Sequence, residues 1–304
     1  MYEQSSKYMG KYNVLENKNI ISSNTLKGTL KKVLDLFFRN ILLIIASIFT
    51  IFPFMWMILS SLKTKTEIMD TSSFFPTIPQ WGNFSEVIVN SPILNYIGNS
   101  LFVSVISVFA QLVSGAMIAY AIVNMKFKGR RILFTVIMAT YMIPTAATYI
   151  PSYIILSDMN LLDTYTGLII SNTVSIFGIF LLRQAFMQLP KELIEAAKID
   201  GANHWQILWK ILFPMTKSSF ITFGLMSFIS SYNSYMWPSL ITESPSLSLV
   251  SQGLRRFFIE GGAYGTEWHL VMAASTVIVL PLLILFLFTQ KWFINGIGDT
   301  GVKG

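Results

Sequence analysis

The chain has 304 residues, of which 53% are hydrophobic and 12% charged, with a formal net charge of +7. A soluble domain carries about 25% charged residues, so this composition excludes ordinary aqueous solvation and points to lipid. There is no cysteine, hence no disulfide framework, thiolate metal site or cysteine nucleophile, and two histidines, His204 and His269, are too few for a histidine metal centre.

The first 36 residues are polar, rich in Asn, Lys and Ser, and lack the apolar core of a signal peptide. They are expected to form a tail (1–36) whose Lys27, Lys31 and Lys32, with Arg39 beyond it, lie against anionic headgroups. Uncharged stretches follow at 40–62, 87–125, 132–157, 164–182, 218–242 and 268–290. Each reaches the roughly 17–25 residues that cross a hydrocarbon core of about 30 Å. The sequence therefore predicts an all-α integral membrane protein with six transmembrane helices. The second stretch exceeds one crossing; Asn90, Pro92, Asn95, Gly98 and Asn99 mark an interfacial lead-in, with the span running from near Ile97 to near Met125. Residues 37–96 then hold the first span and an outer loop, 97–292 a five-helix core, and 293–304 a second tail.

Lys and Arg orient the chain. With the N-terminus inside, the inner segments carry eighteen and the outer loops only Lys63, Lys65, Arg255 and Arg256. This positive-inside bias predicts that both termini are cytoplasmic, and it accounts for the net charge without a nucleic-acid partner. None of the six stretches contains Asp, Glu, Lys or Arg. Proton- or ion-coupled transport uses ionisable groups at membrane depth, so their absence argues against a proton symporter, pump or voltage sensor. The chain also lacks a G-x-x-x-x-G-K-[ST] phosphate loop. Active transport would draw its energy from a partner.

Attention therefore falls on the longest inner loop, 183–217. Pro190 suits a first helical turn, and a helix is predicted over Lys191–Ile199, with Glu192 near its positive end. Asp200-Gly201 breaks it, Gly201 being suited to the left-handed position after a helix. A second helix runs from Ala202 to about Phe213 and is expected to end at Pro214. Ala196, Ala197, Gly201 and Ala202 leave the corner open to close approach. On physical grounds alone this is either a docking hairpin or an amphipathic hairpin lying in the headgroup layer.

The residue pattern goes further. Glu195-Ala196-Ala197, Gly201 four residues on, Ile211 and Pro214, all between the fourth and fifth spans, resemble the EAA loop of binding-protein-dependent ATP-binding-cassette importers. Asp200-Gly201-Ala202 resembles the carbohydrate-uptake branch. Ser61-Leu62-Lys63, Asn95–Ser100, Trp268 with Met272-Ala273-Ala274 and Pro281, and Gly301-Val302-Lys303-Gly304 extend the resemblance over most of the chain from about Ile41. Phe213 departs from the family's usual Leu, and Tyr232 and Ser234 stand where its fifth span usually has Trp and an acid.

The resemblance implies a type I importer permease fold in the cytoplasmic membrane and a non-catalytic subunit. Its partners would be a second permease, two ATPase subunits that hold the ATP and magnesium, an extracytoplasmic solute-binding protein and membrane lipid. No cofactor or metal is expected on this chain. Glu195 would contact the ATPase, Ala196, Ala197, Asp200, Gly201 and Ala202 would form a compact knob, and Pro214 would pass movement into the fifth span.

Polar and aromatic residues within the spans are candidate pathway groups: Asn172, beside Ser171, Thr173 and Ser175, and Asn233 for sugar hydroxyls; Tyr149, Tyr153, Tyr232 and Trp237 for stacking on a sugar face. Helix–helix hydrogen bonding and interfacial anchoring are their competing roles. Pro144 and Pro151 kink the third span, as a gate or as a packing bend. The outer loop 243–267, with Gly253, Gly261, Gly262 and Gly265, is either a contact for the binding protein or a connector. A stand-alone channel or secondary transporter is the alternative function, and glycerol phosphate the alternative cargo.

Overall fold

A computed structural model describes residues 36–70, 73–255 and 267–298, with side chains to Trp292. The expectations for the N-terminal tail, for Gly261, Gly262 and Gly265, and for the Gly301–Gly304 tail lie outside these residues. The described residues are helical or irregular, with no strand among them.

The chain divides into two compact units between Met57 and Ile58. The first is carried by α1 (Leu36–Ser61), 26 residues of mean hydropathy 2.5. At 1.5 Å per residue this helix is about 39 Å long. Its side chains from Leu36 to Met55 are exposed, and two hydroxyls there turn back on the backbone: Ser47 Oγ donates to Leu43 O at 2.7 Å and Thr50 Oγ1 to Ala46 O at 2.8 Å. An apolar helix whose side chains are exposed over twenty residues takes lipid or another protein as its solvent.

The second unit is organised around α3 (Ile93–Asn124), 32 residues of mean hydropathy 2.1. It begins at Ile93, four residues before the expected start, because Pro92 ends the preceding connection and cannot enter a helix interior. α2 (Gly82–Asn90) lies just ahead of it. The buried face of α3 carries Ser100, Ser104, Ser107, Gln111 and Gly115 at intervals of three and four. Such small and polar seams let helix backbones approach closely within a membrane. At Gly115 an added Cβ would lie 3.7 Å from the backbone of Gly178.

The expected third span is broken. α4 (Arg130–Thr140) and α5 (Thr145–Asp158) meet at 100°. Pro144 makes the break from the position before α5, whereas Pro151 lies inside that helix. The fourth stretch is divided as well, into α6 (Tyr165–Ile170) and α7 (Ile176–Met187), with Thr164 and Ser175 as N-caps. Beyond α7 come α8 (Lys191–Ile199), α9 (His204–Met215) and α10 (Lys217–Tyr232), the last two bent by 85°. α11 (Met236–Ile241), α12 (Val250–Leu254) and α13 (Trp268–Gly298) follow. By length and composition, three helices can cross a membrane, or up to five if each bent pair is one span.

Three apolar cores hold this unit together. One joins α2, α3, α10, α12 and α13 through Ile93, Tyr96, Phe228, Tyr232 and Ile278. A second, around Ala116, Ala119, Leu182, Phe186, Phe220 and Phe223, ties α3, α7 and α10 to the α8–α9 hairpin. The third gathers Val103, Leu156, Leu168, Ile241 and Leu249 at the opposite end. Gly253 belongs to α12, where a Cβ would collide with the Tyr96 ring at 2.1 Å. Within the 243–267 segment this glycine is a packing residue.

Candidate functional site

Two features concentrate polar chemistry: a hairpin at one end of the helical unit and a cavity between its helices. The hairpin is α8–turn–α9. Pro190 precedes α8, and Gly201 at φ +81° closes it. Ala202 N–H donates to Ala197 O at 2.9 Å and Gly201 N–H to Lys198 O at 3.1 Å. This pair of bonds satisfies the last carbonyls of α8 and requires a left-handed residue between them. Asn203 then starts α9 with a reciprocal cap: Gln206 N–H donates to Asn203 Oδ1 and Asn203 N–H to Gln206 Oε1, each at 2.9 Å.

Ile194 and Ala197 face inward, buried with Ile207, Leu208 and Leu212 in the second core. Tyr120, near the end of α3, shares a 2.7 Å hydrogen bond with His204 Nδ1, which ties the hairpin to the central helix. The outward side carries Glu195, Ala196 and Asp200, exposed, flanked by the exposed apolar residues Leu193, Trp205 and Ile199, the last 86% exposed. A surface with two carboxylates, a methyl-sized floor and apolar flanks is suited to docking against a protein groove.

The second helix of the hairpin does not stop at Pro214. Residues Ile207–Leu212 form a π-helical turn, in which Phe213 N–H reaches back five residues to Leu208 O. The wider turn accommodates the proline ring, which would otherwise press on the carbonyl four residues earlier. α9 therefore continues to Met215, and the 85° bend falls at Thr216. Thr216 Oγ1 donates to Leu212 O at 2.7 Å there. Phe213 and Phe220 pack edge to face across the bend at 4.9 Å, next to Trp209.

The cavity, about 480 Å³, lies between α3, α7, α10 and the α6–α7 break. Gln111 is its polar centre: its Nε2 donates to Asn172 O at 2.6 Å, and its Oε1 accepts from the Ser227 hydroxyl. Ser227, Ser230, Ser231 and Ser234 line one side at helical spacing. No Asp, Glu, Lys or Arg is among the lining residues.

The candidate pathway residues fall in different places. Asn172 lines the cavity. Tyr149 stacks on Trp237 at 5.6 Å, and Trp237 Nε1 donates to Ser171 Oγ at 2.8 Å, tying α5, α6 and α11 together. Tyr153 is exposed on α5. Asn233 is exposed and donates to Ile229 O of the preceding turn. Tyr232 is fully buried, its hydroxyl donating to Ile278 O of α13 at 3.0 Å. It is a core residue, because the helical rotation that brings the neighbouring serines to the cavity turns position 232 towards α13. Sequence reading passed over Gln111 and Ser227, although a lone glutamine in a span and serines spaced three and four apart were visible. It also passed over the Asn203–Gln206 cap, whose N-x-x-Q pattern stands before an apolar run. Nothing local announced the Tyr120–His204 bond, which joins residues 84 positions apart.

Fold and site together define a helical integral membrane protein with a capped helical hairpin at one end. Residues 111–298 match the family model described as "Binding-protein-dependent transport system inner membrane component", and the chain belongs to that family. Among similar proteins is the arabinooligosaccharides transport system permease protein AraQ of Halalkalibacterium halodurans, 31% identical over 84% of this chain and 91% of that protein. Another is the sn-glycerol-3-phosphate transport system permease protein UgpE of Yersinia pestis bv. Antiqua, 32% identical over 89% of this chain and 98% of that protein. A chain in the crystal structure of a bacterial ABC transporter that imports the acidic polysaccharide alginate superposes with a TM-score of 0.75, at 25% identity over 84% of this chain and 95% of that one.

Proposed function

We propose that this chain is a permease subunit of an ATP-driven importer that, with a second permease, forms the membrane pathway for a sugar delivered by an extracytoplasmic binding protein. Of two ATPase subunits, carrying ATP and magnesium, one docks on the α8–α9 hairpin of this chain, and the chain itself catalyses nothing. In this reading α1, α3 and α13 each span the membrane, as do the pairs α4–α5, α6–α7 and α10–α11, giving six crossings. Both termini and the hairpin then face the cytoplasm.

The observation that carries the proposal is the two-sidedness of the hairpin. Ile194 and Ala197 anchor it to α3, α7 and α10, while Glu195, Ala196 and Asp200 remain free on the outside. A partner pulling on that outer side moves helices rather than a loop. Glu195 supplies the charged contact, Ala196, Ala197, Gly201 and Ala202 the compact knob, and Pro214 with Thr216 the joint into α10.

Co-purification with the ATPase subunits and uptake in reconstituted vesicles test this. Glu195→Ala is expected to leave the chain folded but to weaken ATPase binding about tenfold, the effect of one charge-assisted hydrogen bond. A chain that recruits no ATPase subunit, together with unaltered transport by the variant, would sink the proposal in favour of a stand-alone channel or secondary transporter.

A neutral saccharide fits the uncharged cavity, where Gln111, Asn172 and the serines offer donors and acceptors to hydroxyls. The similarity to glycerol-phosphate permeases favours a second cargo. A phosphate calls for Arg or Lys along the path, which the partner permease would then supply. Competition of uptake by an arabino-oligosaccharide against glycerol 3-phosphate distinguishes the two.

A further inference from the structure

A second cavity, about 1180 Å³, opens at the hairpin end between the close of α3, the α3–α4 connection, α4, α7 and α8. Its charge is strongly one-sided. Lys126, Lys128, Arg130 and Arg131 line it from the connection and the start of α4, Arg183 from α7, and Lys191 and Lys198 from α8. Against these stands one carboxylate, Glu195. Among the described residues none of these basic side chains forms an ion pair. Arg183 lies with its Cζ 4.0 Å from the Phe134 ring centroid, and its buried Nε has no hydrogen-bond partner.

Loop lysines and arginines that merely orient a chain need only be near the membrane. Here they converge from three separate elements on one concave space, and self-repulsion favours an anion inside it. The position of the space decides which anion. Immediately after Arg130 and Arg131, α4 exposes Ile132, Leu133 and Val136, an apolar surface leading away from the cationic rim. A phosphate beside basic groups with hydrocarbon along an adjoining helix is the shape of a phospholipid.

We propose that this cavity binds the headgroup of an anionic phospholipid, whose acyl chains run along α4. Glu195 lies on its rim, so the bound lipid would offset the cationic field around the hairpin that docks the ATPase. The link to docking rests on the function proposed above; the lipid site itself does not.

The test uses the assembled transporter in phosphatidylcholine discs containing phosphatidylglycerol as the sole anionic lipid, with retained lipid read by native mass spectrometry. Each basic side chain near an anionic lipid strengthens binding by about fivefold, so Arg130→Gln combined with Arg131→Gln is expected to weaken phosphatidylglycerol retention roughly 30-fold. Both residues are exposed, so the double variant keeps the fold. Arg183→Gln should act in the same direction, and Lys210→Gln, outside the cavity, should not. Equal retention by the double variant and the parent overturns the proposal. So does displacement by inorganic tripolyphosphate with no dependence on lipid composition, which would mark a site for a soluble anion. Occlusion of the cavity only by the ATPase subunits, with no lipid retained, overturns it in favour of a protein-docking surface. Failure of ATPase recruitment with lipid still retained would remove the transport reading and leave the lipid site standing.

Discussion

Glu67 shows how a single contact carries a pH dependence. Thr77 donates its backbone N–H to Glu67 Oε1 at 2.6 Å and its hydroxyl to the same oxygen at 2.8 Å. These bonds, the backbone one first, hold the Glu67 carboxyl below the usual carboxylate range. A lowered pKa in the folded chain stabilises the fold above the unfolded pKa, and that contribution is lost as pH falls through the folded value. Amide-exchange protection at Thr77 is therefore expected to be full at neutral pH and to fade below the ordinary carboxylate range, and Glu67→Gln should abolish that transition. Gly201 and Asn203 carry sharper local demands. Placing alanine at the left-handed position of Gly201 is expected to cost about 1–2 kcal/mol, and Asn203→Ala about 1 kcal/mol through the lost cap. Thermal unfolding of the purified chain measures both, and full stability of either variant would show that the hairpin is held by its inward face alone.

At the level of elements, the bend between α9 and α10 is where, in the proposed function, movement of the hairpin turns into movement within the membrane. Its stiffness comes from aromatic packing: Phe213 against Phe220, with Phe186 6.2 Å from Phe220 on the other side. Phe213→Ala is expected to destabilise by about 2 kcal/mol, less than a fully buried phenylalanine because the ring is only partly covered. It should also lower transport per ATP hydrolysed, which parallel uptake and phosphate-release assays report; unchanged coupling would place the joint elsewhere. Leucine is the residue expected at this position by resemblance, and Phe213→Leu is correspondingly expected to be mild. The same elements show why some boundaries escaped sequence reading. Proline was correctly taken as a breaker, but a π-helical turn absorbed Pro214 and moved the bend to Thr216, and that accommodation depends on three-dimensional packing. Pro144 had no such relief and broke its span outright.

For the whole molecule, helical class and membrane solvation were legible because both follow from summed hydrophobicity, which is a local property of the chain. The hairpin was legible because its turn needs particular residues, Pro190 before α8 and Gly201 after it. The cavity was only partly legible. Asn172 stood out as a polar residue in an apolar stretch, whereas Tyr232 and Ser231, adjacent in sequence, differ in role only through a rotation of about 100° per residue, fixed by packing of α10 against α3 and α13. Gln111→Ala and Ser227→Ala are expected to reduce uptake of the transported sugar while leaving ATPase binding intact; loss of ATPase binding in these variants would mean that the polar seam serves helix packing. The hairpin's caps have a consequence for assembly. Because Gly201, Asn203 and Gln206 complete their hydrogen bonds within the chain, the surface proposed to dock an ATPase subunit is already ordered before the partner arrives. Association then forfeits little conformational entropy, and its heat-capacity change should reflect the buried contact area alone, without the larger signature of coupled folding.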